Sequence, residues 1–323
     1  MAGLFYMGSV DFGVFLGLER PSYDSILDDT LHCERLGYHS VWVADHVIGM
    51  YENPGDPRFE CWTTSAALLA NTSRVMLGQL VLCNPFRHPP LLAKMAATLD
   101  SISGGRLILG LGTGWHEGEF KAYGYSFEGN AARVRRLDEA AEIIKRMWTE
   151  EAPSFEGKYY SIEKAWNAPK PAQRPHPPLM IAGGGAQLTL ITVARHADIS
   201  NFAAWTGKPE GFKAKNDALD AHCEKAGRDP GEIRRSWAAY CLIGEDAVGA
   251  EMSLSSYTAN MQTRYGAAGG DRRPPLAGTP EQVAEQIGRY VDAGVDLFII
   301  RFMGDDFKKE AELFADEVVP QFR

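Results

Sequence analysis

The chain has 323 residues, of which 45% are hydrophobic, and its formal net charge is −9 at pH 7. An acidic chain without a basic stripe is not expected to bind nucleic acid, and no apolar run reaches the roughly 18 residues that span a bilayer. The N-terminus lacks the basic region of a signal peptide, and the five cysteines are widely spaced without a Cys-x-x-Cys pair. These features predict a globular protein of the reducing cytoplasm.

Strand and helix patterns alternate from one end of the chain to the other. Apolar strand candidates lie near residues 11–16, 40–44, 75–82, 106–111, 178–183, 198–203, 236–243 and 295–302. Apolar stripes at helical spacing follow them, for example over residues 22–36 and 131–148. Residues 279–282 carry the threonine cap, the first-turn proline and the glutamine of a helix start.

Eight strand–helix units in strict alternation predict a parallel sheet of the α/β class. Their number and the chain length favour a closed (β/α)8 TIM barrel over an open doubly wound sheet. Because no linker interrupts the pattern, we expect a single barrel domain over residues 1–323.

Three connections are longer than such a barrel normally needs. Residues 46–60 follow the second strand and residues 244–278 follow the seventh, so both are predicted to be insertions over the carboxyl mouth, where lids lie. Residues 151–177 follow a helix instead, and residues 155–160 within them read as a small hairpin. This third stretch is therefore predicted to be structural.

Chemically active residues follow three of the strands. They are Asp45 and His46 after the second strand, Gly112, Thr113, Gly114, Trp115, His116 and Glu117 after the fourth, and Gly183, Gly184 and Gly185 after the fifth. Parallel α/β proteins build their sites at the carboxyl edge of the sheet. The three tips therefore predict one pocket for a ligand with a phosphate and a reactive ring.

Two of these tips are rich in glycine. The glycines at 183–185 precede a helix expected over 187–195, and they can turn several backbone N–H groups toward one anion. The alternative is a tight turn without a ligand. The Gly110-x-Gly112-x-Gly114 run lacks the third glycine of a dinucleotide fingerprint, since residue 115 is Trp. It is better interpreted as a strand end where backbone closely approaches a flat ligand.

The Asp45-His46 tip is a candidate for acid–base chemistry. A neutral histidine accepts or returns a hydroxyl proton near pH 7, and His116 and Glu117 are expected at the same rim. The alternative is that both residues only cap the turn. No metal-ligand spacing surrounds them, so no metal is expected, and hydrolase and ATPase motifs are absent from the sequence. Such a pocket suits hydride chemistry on a bound cofactor.

Seven segments carry a family resemblance. They are residues 42–46, 73–78, 84–89, 103–117, 155–160, 181–185 and 278–283. Over nearly its whole length the chain resembles the luciferase-like monooxygenase superfamily, whose members are (β/α)8 barrels that use FMN or the deazaflavin coenzyme F420. The Asp-His pair and the Gly-Thr-Gly-Trp tip are typical of the F420 branch.

The resemblance implies roles for individual residues. Asp45 would contact the deazaflavin, and His46 would lie beside the hydride-transfer carbon as base or acid. Leu80-Val81 would form a non-prolyl cis peptide against the ring, and the glycines at 183–185 would hold the phosphate. Gly112, Thr113 and Trp115 complete the expected cofactor-binding set.

One position departs from the family's sugar-phosphate dehydrogenases. These enzymes carry a glutamate proton donor where this chain has Trp115, and their substrate-phosphate site is echoed only by Lys208. A sugar phosphate is therefore not the expected substrate. A second proton would have to come from His116 or Glu117.

The resemblance implies an F420-dependent oxidoreductase that transfers a hydride between deazaflavin C5 and a small organic substrate, through an alcohol/carbonyl, C=C or C=N pair. The alternative is an FMN-dependent two-component monooxygenase, which would need a separate reductase as partner. A third possible class is a non-enzymatic flavin-binding barrel. Strand ends that lacked the chemically active residues named above would favour it. A homodimer is also expected.

Overall fold

The computed structural model describes residues 10–49, 55–185, 188–202, 207–265 and 274–323. Parallel strands close into a barrel with eight strand positions, as the sequence predicted. The barrel strands are β1 (Asp11–Phe15), β2 (Ser40–Val43), β3 (Met76–Gln79) with β4 (Leu82–Cys83), β5 (Leu107–Gly112), β8 (Leu179–Ala182), β9 (Ile199–Asn201), β10 (Arg234–Ile243) and β12 (Leu297–Phe302). The barrel closes because β12 pairs with both β1 and β10, and β10 pairs with β9.

Helices surround the barrel. They are α1 (Tyr23–Arg35), α2 (Cys61–Asn71), α3 (Pro89–Ser103), α4 (Glu117–Ala122), α5 (Asn130–Thr149), α6 (Thr189–His196), α7 (Pro209–Ala226), α8 (Ala247–Tyr265), α9 (Pro280–Asp292) and α10 (Phe307–Leu313). The predicted start of α9 is confirmed, since the Gln282 side chain accepts the backbone N–H of Thr279 at 3.0 Å. None of the described helices is long and apolar enough to cross a membrane.

Two smaller sheet elements lie outside the barrel. Strands β6 (Phe155–Glu156) and β7 (Ser161–Ile162) pair in antiparallel fashion, which confirms the predicted hairpin. Strand β11 (Leu276–Gly278) pairs in parallel with the end of β10. All five cysteines are buried and unpaired, in line with the absence of a predicted disulfide framework.

The segment 244–278 differs from its expected form. Much of this predicted connection is the 19-residue helix α8, which the sequence analysis did not identify. Its apolar residues do not gather on one buried face, since Val248 and Met252 are both exposed, and the helical period was therefore weak in the sequence. Residues 50–54 and 266–273 of the two mouth segments lie outside the described residues.

The barrel interior is packed around Trp42. Its indole is fully buried and donates to Ser40 Oγ at 2.8 Å. The ring fits because residues 13 and 78 on the flanking strands are glycines: a Cβ at Gly13 would come within 2.6 Å of it, and one at Gly78 within 2.3 Å. The barrel interior formed by the described residues is thus filled around Trp42, and the room for a ligand lies at the carboxyl end of the strands.

Candidate active site

A cavity of about 500 Å³ opens at the carboxyl end of the barrel, and all eight strand positions contribute to its wall. Nine of the predicted site residues line it: Asp45, His46, Leu80, Val81, Gly112, Thr113, Trp115, His116 and Gly183. Glu117, Gly184 and Gly185 lie outside this wall as the described residues form it. The tips of three separate strands therefore meet in one place.

His46 is held by a glutamate that the sequence analysis did not select. His46 Nδ1 lies 2.8 Å from Glu119 Oε2, and the other carboxylate oxygen accepts the backbone N–H of Val47 at 2.8 Å. Burial raises the pKa of Glu119, but these hydrogen bonds outweigh it, and the net pKa is lowered. A carboxylate partner makes Nδ1 the protonated nitrogen, so Nε2 carries the free lone pair. No described residue is bonded to Nε2.

His116 and Glu117 occupy different environments. His116 lines the cavity, and its Nδ1 accepts the backbone N–H of Glu119 at 3.2 Å, so it caps α4. Glu117 is on the solvent side of the same helix, where its side chain is 54% exposed and pairs with Lys121 at 2.8 Å. Only His116 is therefore near the space that a substrate would fill.

Trp115 forms part of the cavity rim. It is 65% exposed, and its ring stands edge-on to His46 with 6.0 Å between the ring centroids. Its neighbour Thr113 also lines the cavity and is half-buried. An exposed indole next to a polar base gives the rim an apolar surface that a bound ring or substrate would cover.

Asp45 is tied to the strand that follows it in the sheet. Arg87 donates to both of its carboxylate oxygens, at 2.7 and 3.0 Å, and Cys83 donates a backbone N–H at 2.9 Å. Arg87 also pairs with Glu60. Although Asp45 lines the cavity, its side chain is fully buried in this network, which fixes the wall between β2 and β4.

One wall is formed by closely approaching backbone. The Leu80-Val81 peptide is cis, as the resemblance implied, and both residues line the cavity. Gly112 faces Val81 so closely that a Cβ would lie 2.6 Å from Val81 Cγ2. Because residue 112 has no side chain, nothing projects from the wall at this point, and its surface stays nearly flat. Such a wall fits one face of a planar ring.

The glycines at 183–185 connect β8 to α6, which begins at Thr189 rather than 187. Gly183 has φ +145°, a value that L side chains rarely adopt, and its N–H bonds to Asn201 at 2.8 Å. The Nζ atom of Lys215 on α7 lies beside Gly184, 2.6 Å from where a Cβ would stand.

The surroundings of this loop fit a phosphate. Lys215 is half-buried, its Nζ lies 5.5 Å from the Phe202 ring centroid, and no described residue provides it with a carboxylate partner. An ammonium group without a carboxylate partner in the described part of the chain, a glycine loop and the start of a helix together favour an anion. The described residues of the cavity, together with the glycine loop and Lys215 beside it, therefore fit a cofactor with a planar ring and a phosphorylated tail.

Besides Glu19, which lies in the loop after β1, four charged residues of the site were missed by the sequence analysis: Glu119, Lys215, Arg58 and Arg301. Arg58 and Arg301 line the cavity, and Arg58 pairs with Glu19. Of these four, only Arg301 could have been identified from the sequence, because residues 297, 299 and 301 share one face of a strand. The other three belong to helices or a loop, where no local pattern indicates which strand end they approach.

Comparisons with known proteins identify the family. The family model for luciferase-like monooxygenases matches residues 6–297. An F420-dependent glucose-6-phosphate dehydrogenase of Intrasporangium calvum is 30% identical over 92% of this chain and 94% of its own length. An FMNH2-dependent dimethylsulfone monooxygenase of Pseudomonas putida is 31% identical over 83% of this chain and 80% of its own length.

The solved structures agree on the fold. An F420-dependent secondary alcohol dehydrogenase, solved with an F420–acetone adduct, superposes with a TM-score of 0.81 at 20% identity and covers 98% of this chain and 99% of its own. Its barrel is the architecture described above. The chain belongs to the luciferase-like monooxygenase family.

Proposed function

We propose that this protein is an F420-dependent oxidoreductase that transfers a hydride between deazaflavin C5 and a small organic substrate. The observation that carries the proposal is the His46–Glu119 pair at the cavity, with the Nε2 lone pair of His46 unengaged by any described residue. Such a base suits an alcohol/carbonyl pair, whose oxygen must lose or gain a proton as hydride moves. The F420-dependent relative supports the same cofactor.

In the direction of alcohol oxidation, His46 Nε2 accepts the hydroxyl proton while the C–H bond breaks. Glu119 keeps the imidazole in the required tautomer and offsets the positive charge that forms on it. F420, when bound, supplies the acceptor for the hydride. In the direction of carbonyl reduction the protonated imidazole returns its proton to the oxygen. If the reduced ring takes up a proton as well as the hydride, His116 at the same rim would supply it.

We assign the cofactor contacts as follows. The ring would lie against Leu80, Val81 and Gly112, and Thr113 and Trp115 would border it. The glycines at 183–185 and Lys215 would hold the phosphate. Asp45 acts on the ring through the wall that it fixes, because its carboxylate is already engaged by Arg87.

Further parts of the proposal concern the whole protein. We propose that residues 1–323 form a single barrel domain that works as a homodimer in the cytoplasm. The regular strand–helix alternation supports one domain. Five reduced, buried cysteines support a reducing compartment.

A binding titration of the purified protein with F420 and with FMN tests the cofactor assignment. We expect F420 to bind with a Kd in the low micromolar range or below and FMN to bind more weakly. Fluorescence of each cofactor gives the affinity without a substrate. Tight binding of FMN with no binding of F420 would overturn the proposal.

That outcome would favour the alternative of an FMN-dependent two-component monooxygenase supplied by a reductase. The 31% identity to the dimethylsulfone monooxygenase is the observation that supports this second candidate. It makes a distinct prediction: oxygen consumption that requires reduced FMN. An F420-dependent hydride transfer consumes no oxygen.

A further inference from the structure

Phe15, Arg301 and Tyr240 lie side by side on three neighbouring strands. In the register of β10 and β12, Tyr240 is the partner of Arg301. In the register of β1 and β12, Val14 pairs with Ile300, which places Phe15 level with Arg301. The three residues therefore form one row at the carboxyl end of the barrel, and all three line the cavity.

Arg301 faces the inside of the barrel. Leu297 and Ile299 pack in the interior cluster around Trp42, and strand side chains alternate between faces. Arg301 is thus the last inward-facing residue of β12, directly above an apolar core. A guanidinium at such a level is partly removed from water and gains from a charged partner.

The other charged groups of the cavity wall already have partners. Glu19 pairs with Arg58, and Glu119 pairs with His46. Asp45 is engaged by an arginine outside the wall. Arg301 differs from them, because no described residue gives it an ion pair or a hydrogen bond.

The contacts of Arg301 within the described residues are aromatic. Its Cζ atom lies 5.2 Å from the Phe15 ring centroid and 5.9 Å from that of Tyr240. These rings support the guanidinium while its N–H groups stay available. Burial is the main cause that lowers the pKa of Arg58 to about 10; Glu119 opposes it, and the charge of Arg301 lowers it further. The positive charge of Arg301 therefore acts on Arg58, which lines the same cavity.

We propose that Arg301 binds a carboxylate of the substrate, so that the enzyme acts on a hydroxy acid or its oxo-acid counterpart. A planar guanidinium matches a carboxylate with two parallel hydrogen bonds. One arginine without a charged partner among the described residues balances one negative charge, which suits a carboxylate better than a phosphate dianion. The proposal rests on the proposed function, which supplies the redox partner.

The reaction balances with these components. The substrate carbon that carries the hydroxyl loses its hydrogen with both electrons to oxidised F420, and the hydroxyl proton goes to His46 Nε2. A C=O bond forms, and the reduced cofactor leaves with the hydride. The carboxylate at Arg301 is unchanged, and it orients the carbon that reacts.

Paired ligands test the proposal in the absence of cofactor. The probes are lactate with lactamide and mandelate with mandelamide, which differ in charge but little in shape. Calorimetric titration should show at least one carboxylate binding tenfold or more tighter than its amide. R301Q should abolish that difference, and R301K should restore part of it. R289Q is the matched control, because Arg289 is an exposed arginine that pairs with Glu285 on α9.

Each result decides the question. Equal affinity for both members of every pair, or equal behaviour of R301Q and R289Q, would overturn the role of Arg301, as would a failure of both carboxylates to bind. Circular dichroism checks that each variant is folded. F420 titration of the wild-type protein is separate, and its failure would remove the proposed function while the carboxylate result stands.

Discussion

At the level of single residues, the tautomer of His46 is set by Glu119. A carboxylate at 2.8 Å from Nδ1 holds that nitrogen protonated and turns the basic nitrogen away from it. The same carboxylate is bonded to the Val47 N–H, so it cannot follow a rotation of the imidazole. In the proposed reaction, His46 would therefore be oriented as the base before a substrate arrives, which is the arrangement that favours proton transfer.

Replacing His46 by alanine should lower turnover by about 10²- to 10⁴-fold, the usual contribution of general acid–base assistance. The affinity for F420, measured by fluorescence titration, should change only a few-fold, because the ring and phosphate contacts remain. Glu117→Gln is the matched control: its exposed carboxylate pairs with Lys121, and turnover should stay near the wild-type value. Near-full turnover in His46→Ala would mean that another group is the base, and His116 would be the first to test.

At the level of elements, the site depends on how β8 passes into α6. The glycines at 183–185 bring the backbone across the strand end, and the packing of α7 places Lys215 over the same turn. The partly positive N-terminal end of α6 and the ammonium group of Lys215 therefore come together at this turn. Neither α6 nor α7 alone would bring both there.

Gly184→Val should weaken F420 binding at least tenfold, about 1.4 kcal/mol. A side chain there would meet Lys215 Nζ and would lie only 3.4 Å from the Phe202 carbonyl oxygen. Gly288→Val is the matched control, since nothing lies within 4 Å of its Cβ position, and its F420 affinity should be unchanged. If a folded Gly184→Val protein bound F420 as the wild type does, the glycine loop would be only a turn.

At the level of the whole molecule, a stabilising contact and the cavity lie at opposite ends of the strands. At the amino end of β3, Glu34 of α1 accepts backbone N–H groups from Ser73, Arg74 and Val75 through Oε2, at 2.9, 2.8 and 3.1 Å. Burial raises the pKa of Glu34, but these hydrogen bonds outweigh it and lower the pKa to about 2. The link fixes α1 to the strand far from the cavity.

Glu34→Gln should reduce the free energy of unfolding at pH 7 by about 2 kcal/mol, the usual worth of hydrogen bonds to a charged group. The folded pKa lies below the unfolded one, so the ionised form stabilises the native state above about pH 4.5, and this gain disappears as pH falls toward 2. Urea unfolding of both proteins between pH 7 and pH 3 measures it. An unfolding difference that is the same at pH 3 as at pH 7 would refute the ionic origin.

The local pattern of residues was sufficient for the architecture. Period-two and period-3.6 apolar spacing specifies strands and helices residue by residue, and eight alternating units leave the closed barrel as the favoured packing. Parallel α/β proteins build their sites at the carboxyl ends of the strands, and this rule placed Asp45, His46 and Gly183 at one mouth without knowledge of any contact. Helix α8 was not predicted from the sequence, because its apolar residues do not form one buried stripe.

The sequence by itself thus determined the barrel and the strand tips that line its mouth. The partners of those tips required the folded chain: Glu119 reaches His46 across 73 positions, and Arg87 reaches Asp45 across 42. Arg301 lies level with Tyr240 only through the strand register. Hydrogen bonds and ion pairs act over about 3 Å in space, whatever the separation along the chain, so only the packing of the barrel could bring these groups together.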